Sequence, residues 1–559
     1  MKKFVLTLCL GLCTLSMAYA QEEHEKITME AGAPLTLEKA IEIACTNNPT
    51  IWVGDMEIKR YDYVYNQAVS TLYPQIEASA QYALAVRRQE MTEGFSFGGK
   101  NTFNLAANVG VPLFAPSVYR QMKLTKTQMA TAVESARANK IDLIASVRSA
   151  YFNVLLAQES LRVLDEAIAT TGKVVNDTEL LYNNELVSEY DMITAEVQKS
   201  TLEAQRIQAV NAVDITMLQL KMYLSLPEDM EITLAGTLDD YCLWLCNPSY
   251  IIPLESAGVN TNGLTEAEIL ALKNENINTL AAQRESMIDE LGTFTNSIKY
   301  DVDKLVGDFH EAKSNSAHNR SFNLADKHAT VEVFNTENTL LANNTTLRTL
   351  DLNSELLEHQ EKLIQTTRMP TIAAFASISY IGQERIDLSG LLGGGMGAGG
   401  GAAAPSAITR AAAASQSKFW WQYPINVGAQ ISIPIFSGLK KTNQIHEVRN
   451  QQNQLKFQRE YAVEGIMLQL QQSVNTLVAA RESLRANVKT VEQAQKAYFI
   501  SETRYNAGAG TILELNSAQL TLIQAQLNYS QAVYDYLSAY TQYRAVLGVD
   551  EQVAGDNIN

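Results

Sequence analysis

The chain has 559 residues, 46% of them apolar, and a formal net charge of −17. That length and apolar content suit a folded protein, and the acidic excess excludes a nucleic-acid binder, whose partner selects basic surfaces. Six histidines, with no Ser/His/Asp arrangement and no metal-ligand spacing, argue against an enzyme.

Met1–Ala20 joins a basic start to the apolar run Phe4–Leu15 and ends in Ala18-Tyr19-Ala20, the pattern of a secretory signal. Leu12 before Cys13 argues against lipoprotein processing, and residues 21–34 read as a polar tail. Cys45, Cys242 and Cys246 lie beyond the signal, too few for a disulfide scaffold. Cys242 and Cys246 either pair in an oxidising compartment or are small residues beside Trp244. No later stretch has 18 uninterrupted apolar residues, so the mature chain is either soluble or crosses a membrane as a β-barrel.

Residues 35–227 form a first repeat. Helices over 35–71 are interrupted at Asn47-Asn48-Pro49 and end at Tyr73-Pro74. The period then changes to two: Ile76, Ala78, Ala80, Tyr82 and Leu84, then Phe103, Leu105, Ala107, Val109, Val111 and Leu113, alternate with polar or small residues. Two strands within 75–113, apolar on one side, match the membrane-barrel pattern; a hairpin of a soluble sandwich is the other reading. A helical hairpin follows over 117–226, with its tip near 183–190 and a seam at Ile144, Val147, Tyr151, Val154, Leu161, Ile168 and Val175. Lys140 and Asp165 fall on that seam and weaken it.

Residues 228–330 have no counterpart elsewhere and read as a polar, partly helical insertion. His310, His318 and His328 are spaced too irregularly for a metal site, and none is expected.

Residues 331–549 repeat the first pattern: helix 331–368, strands 371–436 and a helical hairpin 437–548 with its tip near 506–511. The strand connector carries Gly393–Gly401, which lacks a following Gly-Lys-Ser/Thr and is no phosphate loop, so no cofactor is expected. Phe419, Trp420, Trp421 and Tyr423 stand at the strand edge, where a membrane-interface girdle or a capping core belongs. Val463, Met467, Leu470, Val474, Leu477, Leu484, Val488, Val491 and Tyr498 sit on a 3.5-residue period, with Arg481 and Gln495 at the skipped positions. The second arm repeats it at Leu515, Ala518, Leu522, Ala525, Tyr529, Ala532, Tyr536, Ala539, Tyr543 and Val546. An arm of roughly 65 residues is on the order of 100 Å long, a length suited to spanning a gap. Val111-Pro112-Leu113-Phe114 and Ile433-Pro434-Ile435-Phe436 mark equivalent junctions, and Tyr182-Asn183 matches Tyr505-Asn506 at an offset of about 323 residues. Residues 550–559 are a C-terminal tail.

Four strands are too few to close a barrel, so a membrane-crossing chain must pool strands with its neighbours. On Leu35-Thr36-Leu37-Glu38-Lys39-Ala40, Asn48-Pro49, the two V/I-P-L/I-F junctions and Arg504-Tyr505-Asn506-Ala507-Gly508, the chain resembles the TolC family of outer-membrane efflux and secretion channels. The resemblance implies an α+β membrane protein with an internal duplication. It forms a homotrimer with a 12-stranded β-barrel, four strands per chain, continuous with a long α-helical coiled-coil barrel through the periplasm. It also implies the outer membrane of a Gram-negative bacterium as location, and a periplasmic adaptor and an inner-membrane transporter, proton- or ATP-driven, as partners. The function implied is a passive exit duct for drugs, other small molecules or secreted proteins, with residues 228–330 as an equatorial collar.

Site residues follow from the same resemblance. Tyr505 matches the tyrosine that helps hold the tunnel mouth closed, Gly508 the turn glycine, and Glu514 an inward acid able to ring the mouth. Ser517 and Gly510 stand where some members have a second acid and a gating arginine. Glu185 replaces the turn glycine of the first hairpin, while Leu186, Val187, Ser188 and Asp191 keep its turn pattern. Leu186, Val187, Ser188, Ala509 and Thr511 are the expected adaptor-docking turns. Glu514 and Asp191 are equally readable as acids complementing a helix N-terminus. The competing class is a periplasmic or surface coiled-coil scaffold or adhesin, which explains the seams but not the duplicated strand pairs.

Overall fold

The computed structural model describes residues 27, 34–86, 89–92, 95–97, 101–246, 282, 284–310, 342–384 and 419–549; side chains at 89–92, 95–97, 244–246, 383–384 and 420 are outside that description. The signal, most of the 21–34 tail, Gly393–Gly401, His318, His328, residues 331–341 and the C-terminal tail lie outside the described residues. The chain divides into two compact units, one within residues 1–55, 134–348 and 460–559, the other within 56–133 and 349–459.

The smaller unit holds a sheet of long antiparallel strands. Its strands are β2 (Gln75–Leu84), β5 (Asn101–Phe114), β7 (Thr371–Glu384), β8 (Phe419–Gln422) and β9 (Ile425–Ser432). The order is β2-β5-β7, with β8 and β9 both pairing β7 as two segments of one strand interrupted at Tyr423-Pro424. The Pro424 carbonyl still accepts from Ser379 N at 3.0 Å, so the ladder runs past the interruption. A short separate hairpin, β3 (Gln89–Thr92) and β4 (Phe95–Phe97), lies between β2 and β5 in sequence.

Here the structure corrects one expectation. The second V/I-P-L/I-F junction is not strand: pairing ends at Thr371↔Ser432, because β7 starts there, after Pro370. The first junction is strand through Phe114, because β5 lies between two neighbours and pairs with Ile372, with a register shift between Pro112 and Phe114. A proline without an N–H is tolerated at such an irregularity.

The rest of the described chain is mainly helical. α1 (Leu37–Asn47) is capped by Thr36, whose Oγ1 accepts from Lys39 N at 3.3 Å. α2 (Pro49–Ser70) begins on proline, whose missing N–H is one the first turn leaves unpaired anyway. Two helical hairpins follow the two strand pairs in sequence. α3 (Pro116–Asn183, 68 residues) turns into α4 (Glu189–Leu224, 36 residues). α8 (Lys440–Asn506, 67 residues) turns into α9 (Ile512–Leu547, 36 residues). Between them in sequence come β6 (Thr233–Leu234), α5 (Leu238–Cys246), α6 (284–310) and α7 (Thr345–Thr366). The helix expected over 331–368 thus starts, among the described residues, only at Thr345, after the turn at Asn343-Asn344.

The seam of the second hairpin is buried as its period requires, from Val463 through Val491 on α8 and from Tyr529 through Val546 on α9. Arg481 interrupts the apolar series because its guanidinium reaches the insertion, donating to Gly292 O and Asn296 Oδ1, both at 3.2 Å. In α3 the expected seam holds through Val154 and then moves: Val163, Leu164 and Ala167 are buried, whereas Leu161 and Ile168 are only half-buried. A straight helix drifts by ~20° per heptad against a 3.5-residue repeat, so the buried stripe slips by a position. Asp165 consequently faces out, where it pairs with Arg206 of α4.

The insertion packs on the same core. β6 pairs in parallel with β1 (Pro34–Leu35), and the buried Tyr151 hydroxyl serves the carbonyls of Leu35 and Ala235 at 2.8 and 2.9 Å. Asp239 of α5 accepts from the Tyr529 hydroxyl at 2.6 Å and lies 3.5 Å from Arg284. Cys242 is buried in this core, whereas the Cys246 side chain lies outside the described residues.

Candidate functional site

Both hairpin tips close by the same backbone device. Leu186 N donates to Leu181 O and Glu185 N to Tyr182 O in the first; Ala509 N donates to Arg504 O and Gly508 N to Tyr505 O in the second. These are the paired bonds of a Schellman turn, which needs one residue in the left-handed region. Gly508 supplies it at φ 71°, and Glu185 occupies the equivalent place at φ 60°.

The acids that follow the two turns differ in use. Asp191 closes a capping box: its Oδ2 accepts from Ser188 Oγ at 2.6 Å and Ser188 N at 3.2 Å. Glu514 also follows its cap, Thr511, by three residues, but its carboxylate faces Arg504 Nη1 at 3.7 Å. Both partners of that pair are more than half exposed, so it contributes at most about 1 kcal/mol. Asp191 is therefore a capping group, and Glu514 carries an acid exposed at the second tip.

Tyr505 reaches from the second hairpin to the first, its hydroxyl 3.1 Å from Thr178 Oγ1. Thr178 is fully buried. Gly510 abuts the Tyr505 backbone, where an added Cβ would come within 3.1 Å of the nitrogen. A side chain at 510 would thus need the turn to give by a few tenths of an ångström. Ser517, Thr511, Ala509, Ser188 and Leu186 are exposed, and Val187 is half-buried. Thr178 and Arg504 were not readable as partners from sequence; Thr178 lies seven residues after the buried Thr171, a spacing visible only once the slipped seam is known.

The second functional surface is the sheet. Cross-strand partners share a face, so Ile76, Val109, Ala376 and Val427 form one row, and Ala80, Leu105 and Tyr380 another. From Ile76 to Tyr82 on β2, Phe103 to Val111 on β5, Ile372 to Gly382 on β7 and Trp421 to Ile431 on β8 and β9, this face has no charged residue. Ile76 and Val427 are 77% and 80% exposed on it. The opposite face carries Glu77, Ser79, Gln81, Asn104, Asn108, Ser377 and Asn426. Aromatic rings gather at one end of the apolar face. Tyr82 and Phe103 lie 4.7 Å apart, Phe103 and Phe419 5.7 Å, and Tyr380 stacks on Trp421 at 4.8 Å. Tyr423 belongs to this face by alternation, but position 420 pairs with Gln383 and lies on the other one. The Trp420 side chain, expected in the aromatic girdle, lies outside the described residues.

Among the described residues no group of three or more His, Cys, Asp or Glu is placed to hold a metal ion, and no helix is long and apolar enough to cross a membrane. A model described as "Outer membrane efflux protein" matches residues 40–225 and 337–549. The chain belongs to the outer membrane efflux protein family. Membership places it in the outer membrane. Within the family, the alkaline protease secretion protein AprF of Pseudomonas aeruginosa is 27% identical over 124 residues, 22% of this chain and 26% of AprF. Outer membrane protein TolC of Escherichia coli is 27% identical over 122 residues, 22% of this chain and 25% of TolC. Each match thus spans about a quarter of the curated relative's length. The fold compares over far more of the chain: the Vibrio cholerae outer membrane protein VceC superposes with a TM-score of 0.57 at 14% identity, covering 92% of this chain and 96% of VceC.

Proposed function

We propose that this chain is the outer-membrane exit duct of a tripartite export machine. Three copies pool four strands each into a 12-stranded barrel, and their helical hairpins form a tunnel through the periplasm. The observation that carries this reading is the sheet: it is apolar on one face, polar on the other, and among the described residues nothing pairs with the outer edges of β2 and β8/β9. In lipid, each unpaired backbone group costs several kcal/mol, so the edges must meet those of neighbouring copies. A periplasmic scaffold or adhesin has no use for a lipid-compatible face.

In the same reading, exposed Leu186, Ser188, Ala509 and Thr511 at the hairpin tips dock a periplasmic adaptor, which links the duct to an inner-membrane pump. The secretion and export roles in the names of AprF and the P. aeruginosa pyoverdine export protein OpmQ support a conduit of this kind. Glu514 contributes one carboxylate per copy to the mouth, and the Tyr505–Thr178 contact holds the second hairpin against the first. Opening parts the hairpins at that contact, aided by the Gly508-Ala509-Gly510 turn. Reconstitution in planar bilayers tests the proposal. The expected result is ion conductance from a chemically crosslinkable trimer; a protein that stays monomeric and soluble without detergent would falsify it.

A further inference from the structure

Near the tips, the seam between α3 and α9 changes from apolar to polar. Nearest the tip Ile512 and Leu515 are again buried, while Val163, Leu164, Ala167, Leu202 and Ile523 form a separate small apolar cluster further in. Between them, Gln519, 3% exposed, donates through Nε2 to Thr171 Oγ1 at 2.8 Å and to Ala167 O at 3.2 Å. Asn516, one turn nearer the tip and 5% exposed, has no hydrogen-bond partner among the described residues for either Oδ1 or Nδ2, and Gln519 Oε1 also lacks one there. Ile512, Asn516, Gln519 and Ile523 follow one another at helical spacing and are all buried, so amides occupy two positions of a stripe whose ends are apolar. A seam serving only adhesion has no use for a buried amide without a partner, which raises the energy of the packed state.

We propose that Asn516 and Gln519 set, in opposite senses, how readily the two hairpins part at the tip. Gln519 is a positioning residue that ties α9 to α3 through the Thr171 hydroxyl and the Ala167 carbonyl. Asn516 acts against it: its amide is unsatisfied while the seam is closed and hydrated once the seam parts. The apolar cluster at Ile523 is where parting stops, because water entering there would expose side chains it cannot solvate. This inference rests on the channel reading above and assigns its gate a built-in counterweight.

The test uses the full-length protein in planar bilayers and reads the ratio of open to closed dwell times. Asn516→Leu, which fills the seam with an apolar group of similar size, is expected to lower that ratio about tenfold, equivalent to ~1.4 kcal/mol. Gln519→Ala is expected to raise it about tenfold. Gln519→Asn, which withdraws the amide by one methylene, stands in should the alanine variant not assemble, and is expected to act in the same direction. A purely structural role would move the melting temperature and leave the dwell ratio alone. Shifts of the same sign at both positions, or none at either, overturn the inference while leaving the duct intact. A wild-type protein that never conducts overturns the duct reading itself, and the inference with it.

Discussion

Asn344 donates its side-chain Nδ2 to the carbonyl of Val546 at 2.7 Å, across 202 residues of sequence. Asn48 makes the corresponding bond to Tyr223 at 2.8 Å. Each asparagine also caps the helix that follows it, Asn48 Oδ1 accepting from Thr50 N and Asn344 Oδ1 from Leu347 N. One side chain thus starts a helix and ties off the end of a hairpin, and both halves of the chain keep the arrangement. Beside the Asn344–Val546 bond, Gly548 (φ 68°) leaves room for Asn343 O, which an added Cβ would overlap.

Because the Val546 carbonyl is a buried end of a long helix, Asn344→Ala is expected to destabilise the larger unit by about 1–3 kcal/mol. Denaturant titration of the detergent-solubilised protein, followed by far-UV circular dichroism, measures it. Asn48→Ala should give a loss of similar size.

The left-handed conformation of Glu185 costs a non-glycine residue roughly 1–2 kcal/mol. Glu185→Gly is therefore expected to stabilise the protein by about 1 kcal/mol, and Gly508→Ala to destabilise it by about as much, read as opposite shifts in thermal unfolding.

Glu514→Ala removes an exposed, 3.7 Å pairing with Arg504, so its effect on unfolding should stay within about 0.5 kcal/mol. Its effect on conduction should be larger: weaker block by multivalent cations in single-channel recordings. Unchanged cation block would remove Glu514 from the mouth.

Gly382 lies directly beneath the Trp421 ring, and a Cβ at that position would overlap it. Gly382→Val should displace the indole from its stack on Tyr380 and change quenching of tryptophan emission by brominated lipids. Identical quenching would show that the ring does not rest on this glycine.

Burial pushes the Tyr543 hydroxyl up to about 12, with the neighbouring Tyr540 and Asp301 adding to the rise. A raised folded value means that the stability it contributes is complete below the ordinary tyrosine value of about 10 and is lost as pH climbs through 12. Tyr543→Phe should therefore lose less stability than wild type between those two values in alkaline melting curves.

The second hairpin was legible because its apolar residues hold one phase from Val463 to Val491, so a fixed repeat and true burial coincide. The first was legible only as far as Val154, since a period read from residue types does not report the slow rotation of a long straight helix. Strand alternation identified the apolar face, but composition cannot say which of two adjacent tryptophans lies on it; the pairing Gly382↔Trp421 places Trp421 there. The tip turns were readable from Gly508 and Ser188, which act locally. The contacts of Tyr505 and Gln519 were not, because each depends on which long-range neighbour the slipped seam presents.

The open margins of the sheet have a genetic consequence. In the proposed trimer no copy is sealed until both its flanks are occupied, so one chain with a spoiled β2 or β9 flank ruins every assembly it joins. Such alleles should be dominant over the wild-type gene, whereas lesions confined to the interior of a helical hairpin should be recessive.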